Sequence, residues 1–328
     1  MKRWLERRWY ERETPAPFLL RPFSALYEMI STRRRRRLQA KATTMRVPVI
    51  IVGNISVGGT GKTPFTIWLI EQLRAWGWRP GVISRGYGGH AARYPLAVRA
   101  DTDPAASGDE PLLIAQRSGC PVVVASDRVA AAQMLLRDHD VDLIVSDDGL
   151  QHYRLARDLE ICLIDGRRGL GNGALLPAGP LRETPARLAE VQLVVINGDG
   201  WTHAGALQMR LRPAPLRRLV DDEQQTMATL RGQRIHAVAG IGDPSRFFAS
   251  LIAGGLEIQP HPFADHHAYR AEDFLFGDDA PIVMTEKDAV KCAAFADTRM
   301  WALPVAAQLG MEATNRVREC VETLRKMR

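Results

Sequence analysis

At 328 residues the chain is long enough for two domains, and 46% hydrophobic with 25% charged residues excludes a disordered or collagen-like polymer. Its net charge of +7 is concentrated at one end: residues 1–46 hold 13 Lys/Arg against 4 Asp/Glu, which leaves the rest slightly acidic. The 4 cysteines include no C-x-x-C pair and suggest neither a disulfide framework nor a zinc site, which fits a reducing cytoplasm.

The basic segment 1–46 reads as an N-terminal arm. It does not read as a signal peptide, because Phe18–Ile30 is interrupted by Arg21, Pro22 and Glu28 with no small-residue cleavage site after it. It is also too short in apolar residues to span a bilayer, which takes about 20 in a row. Trp4, Leu5, Trp9, Tyr10, Phe18, Leu19, Leu20, Phe23, Leu26 and Tyr27 beside Arg33–Arg37 suit the headgroup region of an anionic membrane. A solvated tail and a nucleic-acid contact are the competing readings, and the membrane surface is preferred over nucleic acid.

From Val47 the pattern alternates between strand and helix. Val47–Val52, Arg79–Ser84, Pro121–Ala125, Leu143–Ser146, Leu159–Ile164 and Val191–Ile196 read as strands. Thr63–Trp76, Glu110–Arg117 and Val129–Arg137 read as helices between them. Short apolar strands separated by helices predict a mostly parallel sheet covered on both faces, an α/β domain over residues 47–211. Prolines and weak periodicity mark residues 212–230 as a linker. A second, smaller α/β domain is expected over 231–328, with strands at Ile235–Ala239, Pro281–Thr285 and Met300–Pro304 and helices at Ser245–Ala253 and Gly310–Arg328.

The strongest local signal is Ser56-Val57-Gly58-Gly59-Thr60-Gly61-Lys62-Thr63, between a buried strand and a helix. Small residues there let successive backbone N–H groups wrap phosphates at a helix N-terminus. Lys62 would reach the β- and γ-phosphates and the Thr63 hydroxyl would hold Mg²⁺. The strict P-loop pattern starts with Gly, where this chain has Ser56. Asp147 and Asp148, at the end of the Leu143–Ser146 strand, supply the carboxylates such a site needs for Mg²⁺. Together these features indicate a P-loop NTPase domain that binds ATP and Mg²⁺, without naming the acceptor.

Further motifs narrow this. The run Gly53–Pro64 resembles the tetraacyldisaccharide 4′-kinase (lipid A 4′-kinase) family, Ser56 included. So do Ser84-Arg85-Gly86-Tyr87-Gly88, Gly108-Asp109-Glu110-Pro111, Asp147–His152, Gly179–Glu183, Phe263–His267 and Thr285-Glu286-Lys287-Asp288. The resemblance runs in order from Gly53 to Asp288. It implies transfer of the ATP γ-phosphate to the 4′-hydroxyl of a tetraacylated glucosamine disaccharide 1-phosphate, at the cytoplasmic face of the Gram-negative inner membrane. It also implies a P-loop domain and a smaller α/β domain with the active site in the cleft between them.

A sugar hydroxyl is a weak nucleophile at neutral pH, so a carboxylate or imidazole should take its proton. Asp109 alone reads as well as a helix cap. The resemblance assigns it the role of catalytic base and gives it a histidine partner in the Phe263–His267 motif, expected to be His266, with His267 as the alternative. Arg128 and Glu183 are expected near the nucleotide and Gln151 near the metal. Arg85 and Arg182 are further candidates for phosphate or cleft lining, and Lys287-Asp288 for a weaker nucleotide contact. Gly240-Ile241-Gly242 lacks the third glycine of a dinucleotide fingerprint, and Asp278-Asp279 reads as a turn. A switch GTPase is disfavoured by the lack of N-K-x-D, and a scaffold by the acid–base residues.

Overall fold

The structure, a computed structural model, describes residues 8–10 and 16–326; Trp4 and Leu5 of the expected arm lie outside the described residues. Strand β1 (Val49–Gly53) is buried along its whole length. Its β-branched side chains alternate between two separate apolar cores, Ile50 and Val52 in one and Val49 and Ile51 in the other. That is why the run is continuously apolar: a strand covered on both faces has no polar side. Strands β2 (Pro80–Ser84), β3 (Leu96–Val98), β4 (Val122–Val124), β5 (Leu143–Asp147), β6 (Leu159–Asp165) and β7 (Leu193–Asn197) follow. With β8 (Leu207–Pro213) and β15 (Val305–Leu309) they form a nine-stranded sheet in the order β15-β8-β7-β6-β1-β5-β2-β4-β3. All its pairs are parallel except β3–β4 and β8–β15 at the edges.

Helix α1 (Arg21–Gln39) belongs to the arm, and α2 (Lys62–Ala75) follows the phosphate loop. A helical turn α3 (Pro104–Ser107), α4 (Asp109–Ser118) and α5 (Arg128–Asp138) complete the first half. Phe65 and Leu69 of α2 and Leu112 of α4 pack on one face of the sheet, Val129 and Leu136 of α5 on the other.

A second sheet has the order β10-β9-β14-β13-β11-β12. It is built from β9 (Leu216–Arg218), β10 (Gln224–Gln225), β11 (Arg234–Ala239), β12 (Glu257–Pro262), β13 (Ile282–Thr285) and β14 (Met300–Leu303), with helices α6 (Pro244–Ala253) and α7 (Glu286–Cys292). Two sequence expectations change here. Residues 212–230 are not a bare linker: β8 ends on the first sheet at Pro213, and β9 and β10 join the second. The end of the chain also leaves the smaller lobe. After β14, β15 pairs antiparallel with β8, and α8 (Met311–Lys326) buries Val317, Val321 and Leu324 in the core that holds Phe65 and Leu73. Strand β15 lies one residue beyond β14, past Pro304, so its change of sheet carries no local pattern.

The two lobes are tied across their junction. Arg117 of α4 pairs with buried Glu286 of α7 at 2.6 Å. On the other flank Arg168 pairs with Asp243 at 3.2 Å, and Arg246 Nη2 donates to Asp165 Oδ1 at 2.8 Å.

Candidate active site

The phosphate loop is held from behind by groups that point outward. Asn54, fully buried, donates from Nδ2 to the Ser56 carbonyl at 2.7 Å. The Val57 N–H donates to the Pro180 carbonyl at 2.9 Å, and the Tyr10 hydroxyl donates to the Val57 carbonyl at 2.6 Å. Asn197 at the end of β7 donates to the Thr60 carbonyl at 3.3 Å. Gly61 then turns the chain into α2 with φ of 89°, and a Cβ there would stand 2.7 Å from Asn197 Nδ2. Only glycine adopts this backbone without strain at so close an approach. The loop is thus a backbone cradle at a helix N-terminus, with Lys62 and Thr63 as the first two helical residues.

At the mouth of the cradle Lys62 Nζ lies 3.4 Å from Asp148 Oδ1. Asp147 is buried at the end of β5, with the Thr66 hydroxyl donating to it at 3.2 Å. Burial, then the neighbouring Glu110 and Asp148 charges, push the Asp147 carboxyl up to about 7. Burial would also raise Asp148, but the Lys62 and Arg182 charges hold it below the usual carboxylate range. Arg182 Nη1 stands 3.7 Å from Asp148 Oδ2. Two adjacent carboxylates, Asp147 buried and disfavoured as an anion and Asp148 about a third exposed, fit a divalent cation. Among the described residues no group of three or more His, Cys, Asp or Glu could hold a metal without such help.

Arg128 is only 1% exposed, which removes the surface ion-pair reading. Its Nη1 donates to the Ala125 carbonyl at 2.7 Å, while buried Nε and Nη2 have no hydrogen-bond partner. Burial lowers its pKa to about 10 against the pull of Asp147 and Asp148. A buried guanidinium with unspent donors facing two carboxylates is suited to a phosphate group. Gln151 and Glu183 are brought to each other. Gln151 Nε2 donates to Glu183 Oε1 at 2.6 Å and to the Asn54 carbonyl at 3.1 Å, and Tyr153 and Arg187 also engage Glu183. They brace the phosphate loop and the Arg182 segment. His152, lowered to about 4 by burial and by Arg128 and Arg85, is neutral.

Asp109 opens α4 after Gly108, whose φ is 83°. A Cβ at Gly108 would sit 2.5 Å from the Tyr87 carbonyl, so the Arg85–Gly89 loop packs directly against the turn that carries Asp109. His266, from the segment after β12, places Nδ1 3.1 Å from Asp109 Oδ2. It has φ of 60° and its ring rests 5.0 Å from that of Tyr87. The open choice between histidines is resolved: His267 instead bonds Asp273 at 3.0 Å. Its hydrogen bond to the Asp109 carboxylate raises the pKa of His266. Burial would raise Asp109, but the His266 bond and Lys287 hold it low.

Lys287 has partners that sequence reasoning did not foresee. Read as a weaker nucleotide-contact candidate, it lies 3.0 Å from Glu110 and 3.9 Å from each of Asp109 and Asp265. The Thr285-Glu286-Lys287-Asp288 motif marked the position but not the partners. Its neighbour Asp288 is fully buried and accepts from the Gly240 N–H at 2.9 Å, a structural role. Asn197, behind the loop, carried no signal beyond ending a strand.

Comparison with known proteins agrees with this geometry. The family described as Tetraacyldisaccharide-1-P 4′-kinase matches residues 16–324. A tetraacyldisaccharide 4′-kinase of Methylobacillus flagellatus is 53% identical over 312 residues, 94% of this chain and 92% of the relative. One from Alkalilimnicola ehrlichii is 54% identical over 295 residues, 88% of each chain. The fold is similar to the crystal structure of LpxK from Aquifex aeolicus in complex with ATP, with TM-score 0.80 and 28% identity over 93% of this chain and 98% of that one. A phosphate cradle facing paired carboxylates, an acid–histidine pair across the cleft and relatives of this identity over nearly the full length lead to one conclusion: the chain belongs to the tetraacyldisaccharide-1-phosphate 4′-kinase family.

Proposed function

We propose that the residues gathered in the cleft carry out the family's reaction, transfer of the ATP γ-phosphoryl group to the 4′-hydroxyl of a tetraacylated glucosamine disaccharide 1-phosphate, in the following roles. The backbone of Ser56–Gly61 wraps the nucleotide phosphates, and Lys62 and Arg128 neutralise the charge that spreads over the transferring group. Thr63, Asp147 and Asp148 would hold Mg²⁺, which would supply positive charge to the phosphates when bound. Gln151 and Glu183 support this wall from outside. Asp109 accepts the proton of the 4′-hydroxyl as that oxygen bonds to the γ-phosphorus and the bond to the ADP oxygen breaks; His266 orients the carboxylate and shares the proton.

One observation carries this assignment: Asp109 of the larger lobe and His266 of the smaller lobe meet at 3.1 Å in the cleft. The test follows labelled phosphate from ATP into lipid. Asp109→Asn is expected to lower kcat by about 10²–10⁴-fold while ATP affinity stays within threefold. Near wild-type turnover in this variant would remove Asp109 as the base.

The membrane surface is the proposed location, at the cytoplasmic face of the inner membrane. Helix α1 docks by one side: Ser24 Oγ donates to the Leu175 carbonyl at 2.8 Å and the Tyr27 hydroxyl to the Arg182 carbonyl at 3.1 Å. Phe23, Leu26, Met29 and Ile30, with Phe18 and Leu19 just ahead of the helix, are exposed. These six are half of the exposed large apolar side chains among the described residues. An apolar stripe running into Arg33–Arg37 suits insertion at the level of anionic headgroups. Trp9 is a different case: it is buried and bonds the Pro177 carbonyl at 3.2 Å, so it anchors the arm to the body. No helix among the described residues is long and apolar enough to cross a membrane.

A further inference from the structure

We infer that Lys287, supplied by the smaller lobe, is the positioning residue that keeps Asp109 in its proton-accepting state when the two lobes meet. This rests on the reading of Asp109 as the base. The ammonium sits among three carboxylates from two lobes: Glu110 at 3.0 Å, Asp109 at 3.9 Å and Asp265 at 3.9 Å. Its side chain is 19% exposed and that of Asp109 only 4%, so solvent screens the pair weakly.

The backbone fixes both ends. Lys287 lies in the first turn of α7, whose cap is the Thr285 side chain accepting from the Asp288 N–H. Asp109 starts α4, and α4 and α7 are joined again about two turns further along α4 by Arg117 and Glu286 at 2.6 Å. The ammonium is therefore held by two helix starts. The charged groups around Asp109 are His266 and Asp265 from the loop after β12, Lys287 and Lys291 from α7, and Glu110 beside it on α4; the Tyr87 ring backs His266.

Without this positive charge the Asp109–His266 pair would bind a proton more tightly, because only His266 and Lys291 then offset Asp109, Glu110 and Asp265. A carboxylate already protonated accepts nothing from the sugar hydroxyl. Lys287 thereby ties the protonation of the pair to lobe contact: Asp109 gains this further stabilisation as an anion where α7 meets α4.

The test compares the full-length protein with Lys287→Met and Lys287→Arg, measuring kcat and KM against pH with ATP, Mg²⁺ and lipid acceptor. In Lys287→Met the acid limb of kcat should move up by about one pH unit or more, so activity below the midpoint falls about tenfold. ATP KM should stay within about threefold, and Lys287→Arg should recover most of the shift. A uniform loss at every pH with an unmoved midpoint would overturn the inference, as would a change confined to ATP KM. If Lys287→Met is inactive throughout, the His266 imidazole titration by NMR decides: a pKa raised in Met and restored in Arg supports the role, and an unmoved one refutes it. Asp109→Asn tests the base separately, so turnover surviving there sinks the base reading, whereas an unmoved limb in Lys287→Met sinks only this one.

Discussion

Gly61→Ala tests whether the backbone of the phosphate loop is what binds the nucleotide. With φ of 89° at this position, an alanine carries a left-handed backbone cost of about 1–2 kcal/mol. Its Cβ would lie 2.7 Å from Asn197 Nδ2 and 3.2 Å from Met209 Cε. Both neighbours are side-chain ends that can move, but moving Asn197 gives up its 3.3 Å bond to the Thr60 carbonyl, about 1 kcal/mol. The expected total is therefore about 2–3 kcal/mol for holding the loop in its present shape. If the loop keeps that shape when free, the cost appears as a lower Tm, about 2 °C per kcal/mol for a chain of this size. If the loop relaxes when free, the cost appears as ATP affinity weaker by about two orders of magnitude. Thermal unfolding and calorimetric titration with ATP and Mg²⁺ read the two parts, which should sum to the same total. Gly59→Ala is the control, since a Cβ there meets nothing within 4 Å and should leave Tm unchanged. A Gly61→Ala protein with Tm within one degree and ATP affinity within threefold of wild type would refute the argument, on the magnitudes just worked.

The Asp109–His266 pair also has a pH signature in stability. His266 has a raised pKa in the folded protein, so its contribution is fully present below its unfolded value near 6.5 and is lost as pH rises through the folded value. Asp109, held low, contributes above its unfolded value near 4 and loses that contribution as pH falls through the folded one. The stability gap between wild type and His266→Gln, read by denaturant titration, should therefore be widest near pH 5.5 and narrow by pH 8; a gap independent of pH would count against a charged pair. For the arm, Phe23→Ser with Ile30→Ser should weaken binding to phosphatidylglycerol vesicles by about tenfold per residue, from roughly 1.5 kcal/mol of apolar contact each. Unchanged sedimentation with vesicles would place attachment elsewhere.

What was legible in the sequence follows from how local each signal is. The P-loop is a strand, a small-residue turn and a helix start in one continuous run, so Ser56–Thr63 could be read directly. Asp147 and Asp148 were equally plain, because a buried strand ending in two acids is a local pattern. The helices from Lys62, Asp109 and Arg128 began within a residue or two of expectation, since apolar spacing and caps are also local. Arg128 was harder: an arginine after a capping aspartate resembles any surface helix start, and only its 1% exposure separates the two readings.

By itself the sequence determined the α/β class, the phosphate loop and the pair of acids that ends β5, and its motifs carried the family likeness. Only the tertiary structure decided which histidine meets Asp109, because His266 and His267 are neighbours and the backbone, with φ of 60° at His266, turns them to different partners. It likewise decided that Lys287 lies beside Asp109, that Gln151 and Glu183 brace each other, and that the last strand and helix return to the first sheet. The reason is the same in each case. These contacts join residues that the chain keeps far apart or leaves equivalent, and periodicity along a chain holds no information about which lobe a side chain will face.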